Sequence, residues 1–240
     1  MAAESSGRNG RNRILAALGT ADHALLEPHL EEISLKLGAL LQEAGAEVEH
    51  VYFPHDGMIS LLAVMTDGQA IETATVGREG VVGAMAAFGK RLGFTRAVVQ
   101  APMTASRIAS RHFRAAAQKS KGIGPLMVSY NELLLAQIQQ TAACNALHSM
   151  EARLARWLLQ TRDRCDGDAL PLTQQFLSEM LGVRRTTVNL VARQLEKAGL
   201  IQNRRGRVIV LDRKGLEDVA CECYAIVRDQ LSAPLPEISS

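Results

Sequence analysis

A chain of 240 residues that is 47% hydrophobic and 22% charged has room for two domains of roughly 100–150 residues and excludes bulk disorder. No apolar run reaches the roughly 18–20 residues of a bilayer-spanning helix, and the opening MAAESSGRNGRNR carries charge with no apolar core behind it, so neither a membrane protein nor a secretory signal is expected. The net charge of +2 hides an uneven distribution: residues 1–125 hold thirteen Lys/Arg against twelve Asp/Glu, whereas residues 171–215 hold nine against three, a local +6. A basic excess confined to one short segment is the electrostatic footprint of a nucleic-acid module.

The first residues read as a frayed arm. Across residues 12–37, Leu15, Leu18, Leu25, Leu26, Leu30 and Ile33 space for short amphipathic helices. From about Leu35 to Ile108 short apolar runs are punctuated by glycine, and Val48–Phe53, Met58–Met65, Ile71–Val76, Arg96–Gln100 and Met103–Ile108 read as strands, with a hairpin signal at Asp67-Gly68. Short strands at this spacing predict an antiparallel barrel or sandwich.

A helical stretch follows from about Gly124 to Arg164, with a break near Asn145–His148. Leu126, Leu133, Leu147 and Leu154 recur every seven residues, with Gln140 in the missing step and Tyr130, Gln137 and Cys144 at the companion positions. Such a seam suits a second helix, so Leu126, Tyr130, Leu133 and Gln137 are expected at a dimer contact; the alternative is a helix packed only on its own barrel. Cys165-Asp166-Gly167-Asp168 is a turn-rich loop. The segment Leu216 to Leu231 reads as one last helix, and the chain beyond Pro234 as loose. The expected division is a sensor domain over 1–123, a dimerisation helix over 124–147 and a DNA-binding domain over 148–240.

Cys144, Cys165, Cys221 and Cys223 show no paired metal-ligand spacing. Cys221 and Cys223 lie two apart in a helical pattern, where side chains diverge. All four read as reduced thiols of a cytoplasmic protein, with no metal or cofactor expected. Glu72, Glu79 and Asp67 could be taken for paired carboxylates, but solvated hairpins and strand edges account for them. No nucleophile elbow, P-loop or metal pair is present, so no enzyme is expected.

The basic segment carries the strongest pattern. Thr173 is a good N-cap, with Leu172 and Leu177 as a staple around it, and the helix Gln174–Leu181 stops at Gly182. After a tight turn at Gly182-Val183-Arg184, a second helix runs from about Arg185 to Ala198. Val188, Val191 and Leu195 form its apolar stripe, while Arg185, Asn189 and Arg193 share another face. A short helix, a glycine turn and a helix with an Arg/Asn outer face make a helix-turn-helix. Its second helix would enter the major groove, where Arg reads guanine and Asn reads adenine. Behind it, two β-prone runs bracket Asn203-Arg204-Arg205-Gly206-Arg207, a basic hairpin aimed at phosphates. The expected DNA-binding residues are Thr173, Arg184, Arg185, Thr186, Thr187, Asn189, Arg193, Arg204, Arg205 and Arg207.

LTQQFLSEMLGVRRTTVNLVARQLEKAGLI followed by GRVIVL resembles the DNA-binding domain of the Crp/Fnr family of bacterial regulators. MEARLARWLL resembles the helix leading into that domain, and VYFPHDGMISLL and VGREGVVG its barrel. The resemblance covers about Leu35 to Leu211. It implies an α+β chain: an N-terminal cyclic-nucleotide-binding-type β-barrel (a double-stranded β-helix or jelly roll), a long dimerisation helix and a C-terminal winged helix-turn-helix. It also implies a homodimer on an inverted repeat in double-stranded DNA, RNA polymerase as a further partner, and a barrel that either senses an effector of unknown identity or serves as a constitutive scaffold.

Three departures matter. Where cyclic-nucleotide-binding members have a Gly-Glu pair for the ribose and an arginine for the phosphate, this chain has Gly83-Ala84 and then Thr95-Arg96. The glutamate is lost, and the arginine falls one residue late, which on a strand turns it to the opposite face; cyclic AMP is therefore not expected. The oxygen sensors' N-terminal cysteine cluster is missing, and His50, His55 and His112 read as surface or structural residues rather than haem ligands. On the recognition helix, family members reading TGTGA-type half-sites carry Arg, Glu and Arg where this chain has Arg185, Thr186 and Leu190, so the target sequence should differ. The rival reading is an interaction protein whose barrel docks a partner, with DNA binding secondary.

Overall fold

A computed structural model of the chain describes residues 12–165 and 167–234; the expected frayed arm through Arg11 and the loose tail beyond Pro234 lie outside them. Asn12 is the first of the described residues. Its side-chain oxygen accepts from the backbone N–H of Ile14 and Leu15, capping α1 (Arg13–Ala16), while its amide nitrogen donates to the carbonyls of Pro54 (2.8 Å) and Gly80 (2.9 Å). Helix α2 (Thr20–Leu26) follows. Ile33, expected on a helix, lies in strand β1 (Glu31–Leu35), a half-exposed strand whose EEISL sequence has too few apolar residues to announce itself.

The barrel is built from β1, β2 (Leu40–Gln42), β3 (His50–Pro54), β4 (Met58–Val64), β5 (Ala70–Val76), β6 (Arg96–Ala101) and β7 (Met103–Ala109). All pairings are antiparallel, in two sheets ordered β1-β7-β3 and β2-β6-β4-β5. Five of these strands match the expected runs to within two residues at each end. The hairpin expected at Asp67-Gly68 joins β4 to β5, with Gly68 left-handed and the Asp67 carboxylate accepting from the Gln69 backbone N–H. Inward-facing Ile59, Val76, Ala97, Val99 and Ala105 fill the space inside.

After α3 (Ser110–Lys119), helix α4 (Ile123–Leu147) runs along the barrel. Leu126, Tyr130 and Gln137, expected at a dimer seam, are buried against the chain's own barrel; the Gln137 amide donates to Thr75 Oγ1 at 3.1 Å. The heptad spacing reports an intrachain contact at these positions, because a helix lying on a barrel needs an apolar stripe as much as one lying on a second helix. Leu133 is only half-buried. The helix breaks where expected: His148 is extended, and Ser149 caps α5 (Met150–Arg162) by accepting from the Ala152 N–H.

The C-terminal domain comprises β8 (Ala169–Leu170), α6 (Gln174–Leu181), α7 (Arg185–Lys197), β9 (Ile201–Arg204), β10 (Arg207–Val210), α8 (Arg213–Val219) and α9 (Cys223–Ser232). The single helix expected over Leu216–Leu231 is two, because the chain turns extended at Ala220 (ψ 149°). That break overturns a second expectation. Cys221 lies between helices, so its sulfur and that of Cys223 converge, and both meet Cys144 and His148.

The domains share one core. Met58 and Leu62 of the barrel belong to the same buried cluster as Trp157, Leu177, Leu181, Val188 and Leu195. Two acids pin the junction, against the expectation that both are solvated. Glu72 accepts from Trp157 Nε1 at 2.8 Å and from the Ser60 hydroxyl. Glu79 forms a buried ion pair with Arg164 at 2.6 Å. Sequence alone does not distinguish an acid on a sheet's solvent face from one covered by another domain.

Burial is the main cause that pushes the Glu72 pKa up to about 7, against the hydrogen bonds from Ser60 and Trp157 and the nearby charges of Arg156 and Arg164. A folded-state pKa above the unfolded one means that the folded protein holds a proton the unfolded chain has released. The stability this group contributes is full below about pH 4.5 and lost as pH rises through about 7. Denaturant unfolding is expected to report a loss of roughly 2–3 kcal/mol from this group between about pH 5 and pH 8. Glu72→Gln, which keeps an acceptor for Trp157, should remove that slope. A variant with the wild-type slope would show that Glu72 does not titrate in this window.

Candidate nucleic-acid interface

Thr173 caps α6, its hydroxyl oxygen accepting from the Phe176 N–H at 3.2 Å. The helix ends at Gly182 in the left-handed region (φ 64°), and a Cβ there would come within 2.6 Å of the Ile71 side chain. Both the turn and the close approach to the barrel therefore require glycine. Arg184 is extended, and α7 begins at Arg185.

On α7, Val188, Val191, Ala192 and Leu195 are buried, fixing the helix on α6 and α5. The opposite face presents Arg185, Thr186, Leu190 and Arg193, all exposed, next to exposed Arg184; Thr187 and Asn189 are half-buried at its edge. Leu190 stands where the family resemblance calls for a second arginine. It is 61% exposed, an apolar contact surface on the outer face of the helix.

The hairpin forms as expected, with Arg205-Gly206 at the turn between β9 and β10 and Gly206 at φ 75°. Strand β8 extends it to a three-stranded sheet. The Asn203 N–H donates to Glu196 Oε1 on α7 at 2.8 Å, and the Gln174 amide donates to Asn203 Oδ1 at 3.2 Å. Hairpin, capped helix and outer-face helix are therefore held as one rigid unit.

Unpaired positive charge is dense on this surface. Arg96, Arg107, Arg162, Arg164, Arg213 and Arg228 each sit in an ion pair. Among the described residues Arg184, Arg185, Arg193, Arg204, Arg205 and Arg207 take part in none, and all six are exposed. Unpaired guanidinium groups on one rigid surface keep their bidentate donors free for phosphates and base edges.

A second concavity, of about 180 Å³, lies between the barrel and α4. Gly83, Ala84 and Thr95 line it as expected, with Tyr130, Leu134 and Ile138 from α4. Among the described residues its polar side chains are Gln42, Thr95, Tyr130 and Asn131, and none that lines it is charged. Arg96, the remaining candidate, points away and donates to Glu43 at 3.0 Å. Of the histidines weighed as haem ligands, His55 is buried against Ser106 (2.9 Å), His112 stacks on His29, and His50 lies beside Tyr52.

Residues 152–219 match the Crp-like helix-turn-helix domain, and residues 32–120 match the cyclic nucleotide-binding domain. Among solved structures, a protein described as a transcriptional regulator of the Crp/Fnr family from Eubacterium rectale aligns with a TM-score of 0.70 at 16% identity, over 88% of this chain and 98% of its own. FixK2 from Bradyrhizobium japonicum aligns at 0.66 and 15% identity, over 80% and 98% of the two chains. A CRP/FNR-family transcriptional regulator from Thermus thermophilus aligns at 0.60 and 22% identity, over 79% and 98%. At these identities the likeness is one of fold. No curated protein sequence matches the chain.

Proposed function

The chain belongs to the Crp/Fnr family of transcription regulators, and from that premise we propose that it acts as a homodimer reading an inverted repeat in double-stranded DNA. The observation that carries this reading is the rigid face of unpaired arginines on α7 and the β9–β10 wing. Arg185, at the first position of α7, is read as a guanine contact, with Arg184, Thr186 and Asn189 beside it. Leu190 is suited to a thymine methyl group. Arg204, Arg205 and Arg207 are read as phosphate contacts, as is Thr173, exposed at the helix start.

Self-pairing is assigned to the outer face of α4, where Val128 and Leu135 are 56% and 50% exposed and Ala142 continues the seven-residue spacing. Two copies joined there would present their α7 helices to half-sites about 34 Å apart. The barrel is read as a sensor that does not take cyclic AMP, because a buried phosphate needs a cationic or densely hydrogen-bonding partner and none of the described residues lining the cavity is charged. Transcription would be affected through contact with RNA polymerase.

Selection of DNA fragments by the purified protein, followed by titration of the enriched site, tests the reading. Arg185→Ala is expected to weaken binding by about 5- to 150-fold (roughly 1–3 kcal/mol) and to relax preference at one base pair. Arg204→Ala and Arg205→Ala should weaken binding to all sequences and lower the salt slope by about 0.9 each. Added cyclic AMP should change neither site nor affinity. Failure to enrich any repeat, or equal binding by wild type and Arg185→Ala, would favour the rival reading, in which the barrel docks a protein partner.

A further inference from the structure

Four side chains far apart in sequence meet at the junction of the long helix and the DNA-binding domain. Cys144 and His148 lie one turn apart at the end of α4, and Cys221 and Cys223 come from the break before α9. Their ligand atoms all fall within 4.8 Å of one another. Cys144 Sγ is 3.5 Å from Cys221 Sγ, and Cys223 Sγ is 3.5 Å from His148 Nδ1. In a tetrahedral zinc site, bonds of about 2.3 Å to sulfur and 2.0–2.1 Å to nitrogen place neighbouring ligand atoms about 3.5–3.8 Å apart. Two of the six edges are already at that spacing, and the other four are no longer than 4.8 Å.

The surroundings have the character of a metal site's outer shell. His148 turns Nε2 to Glu222 at 3.2 Å, leaving Nδ1 toward the sulfurs. The Gln140 amide donates to Cys223 Sγ at 3.0 Å. A carboxylate behind a histidine and an amide donating to a thiolate are the contacts that orient ligands. Cys144 and Cys223 are fully buried and Cys221 is 8% exposed.

Charge is a second, independent observation. Arg153 and Arg156 are buried beside this cluster, and among the described residues the Nε of each has no hydrogen-bond partner. Arg153 lies within electrostatic range of Cys144 and Cys221, as does Arg156. Buried cations are costly without a nearby negative group. Three thiolates and a neutral imidazole around a dication sum to one negative charge, whereas three thiols and an imidazole sum to none.

We propose that Cys144, His148, Cys221 and Cys223 bind one Zn²⁺ in a closed, four-coordinate site that fastens the end of the dimer helix to the start of the last helix. Four protein ligands leave no open position, so the ion is structural. Soft thiolate donors in a tetrahedron favour zinc over magnesium, calcium or manganese. The site goes beyond the DNA-binding reading and does not depend on it: loss of sequence-specific DNA binding would leave the metal content untouched.

The test is elemental analysis of the full-length protein purified without chelator, joined to Co²⁺ titration of the reduced, metal-free protein. The expected result is about one zinc per chain, with Co²⁺ giving tetrahedral visible bands and a thiolate charge-transfer band. Cys223→Ser and His148→Ala should each lower metal retention, and Cys165→Ser should not. Should these variants fold poorly, thiol labelling of the wild type decides: three of four cysteines should be protected until a chelator is added. A metal-free reduced protein that gives no Co²⁺ bands would overturn the site. So would a Cys144–Cys221 disulfide in protein handled without oxygen, undiminished zinc in the Cys223→Ser/His148→Ala double variant, or stoichiometric iron or copper in place of zinc.

Discussion

Glu79→Ala is expected to destabilise the protein by about 3–5 kcal/mol, because it removes the counter-charge from a buried arginine. Arg164 gives Glu79 two hydrogen bonds, at 2.9 and 2.6 Å, and spends a third on the Gln160 carbonyl. Burial alone would raise the Glu79 carboxyl, but the Arg164 charge and its hydrogen bonds outweigh this and hold it below the usual carboxylate range. The pair therefore stays ionised, and taking one member strands the other. Replacing both, as Glu79→Leu with Arg164→Met, should recover much of the loss, since apolar residues of similar volume need no counter-charge. Urea titrations of the single and double variants measure this. A single-variant loss below about 1 kcal/mol would place the pair in the solvent-exposed class. The pair joins the barrel to the segment after α5, so a variant that still folds should hold its DNA-binding domain more loosely, with weaker binding at unchanged base preference.

Trp157→Ala should cost at least as much. The ring is 1% exposed at the centre of the shared core and meets Phe176 edge-on, with centroids 6.3 Å apart. Truncating a buried aromatic costs roughly 3–5 kcal/mol, and leaving Glu72 short of its donor adds roughly 1–3 kcal/mol. Trp157→Phe separates the two effects, since it keeps most of the packing and loses only the N–H. Its expected loss is the smaller figure, greatest at high pH where Glu72 is ionised. Because Trp157 is the only tryptophan, unfolding of both variants must be followed by circular dichroism. Equal stability of Trp157→Phe and wild type at all pH values would mean that the indole–carboxylate contact contributes nothing net.

The helix-turn-helix and its wing were legible because each of their signals is local. The Thr173 cap, the Gly182 stop, the two-faced α7 and the glycine turn of the wing all operate within a few residues. The offset between Thr95 and Arg96 was legible too, since neighbouring side chains in extended chain point opposite ways, and Thr95 rather than Arg96 lines the cavity. What failed depends on the partner of a face rather than its pattern. Leu126, Tyr130 and Gln137 were recognised as a stripe, but nothing in a stripe says whether it lies on a barrel or on a second helix. Glu72 and Glu79 looked like solvated acids until the DNA-binding domain covered them. The cysteines were hidden twice: Cys144 and Cys221 are 77 positions apart, and the extended residue Ala220 that breaks the last helix has no proline or glycine to announce it.

The pairing of Arg204 with Arg207 across the base of the wing turn sets two like charges directly opposite, with Arg205 between them, an arrangement that weakens a hairpin. In the free protein the tip should therefore be the most readily opened part of its sheet. Added salt would tighten it by screening the repulsion, even as the same salt weakens attachment to DNA. A polyanion laid along the hairpin would remove the repulsion outright, so amide hydrogen exchange at residues 203–207 should slow on complex formation more than elsewhere in the sheet. The wing would be completed by the molecule it touches.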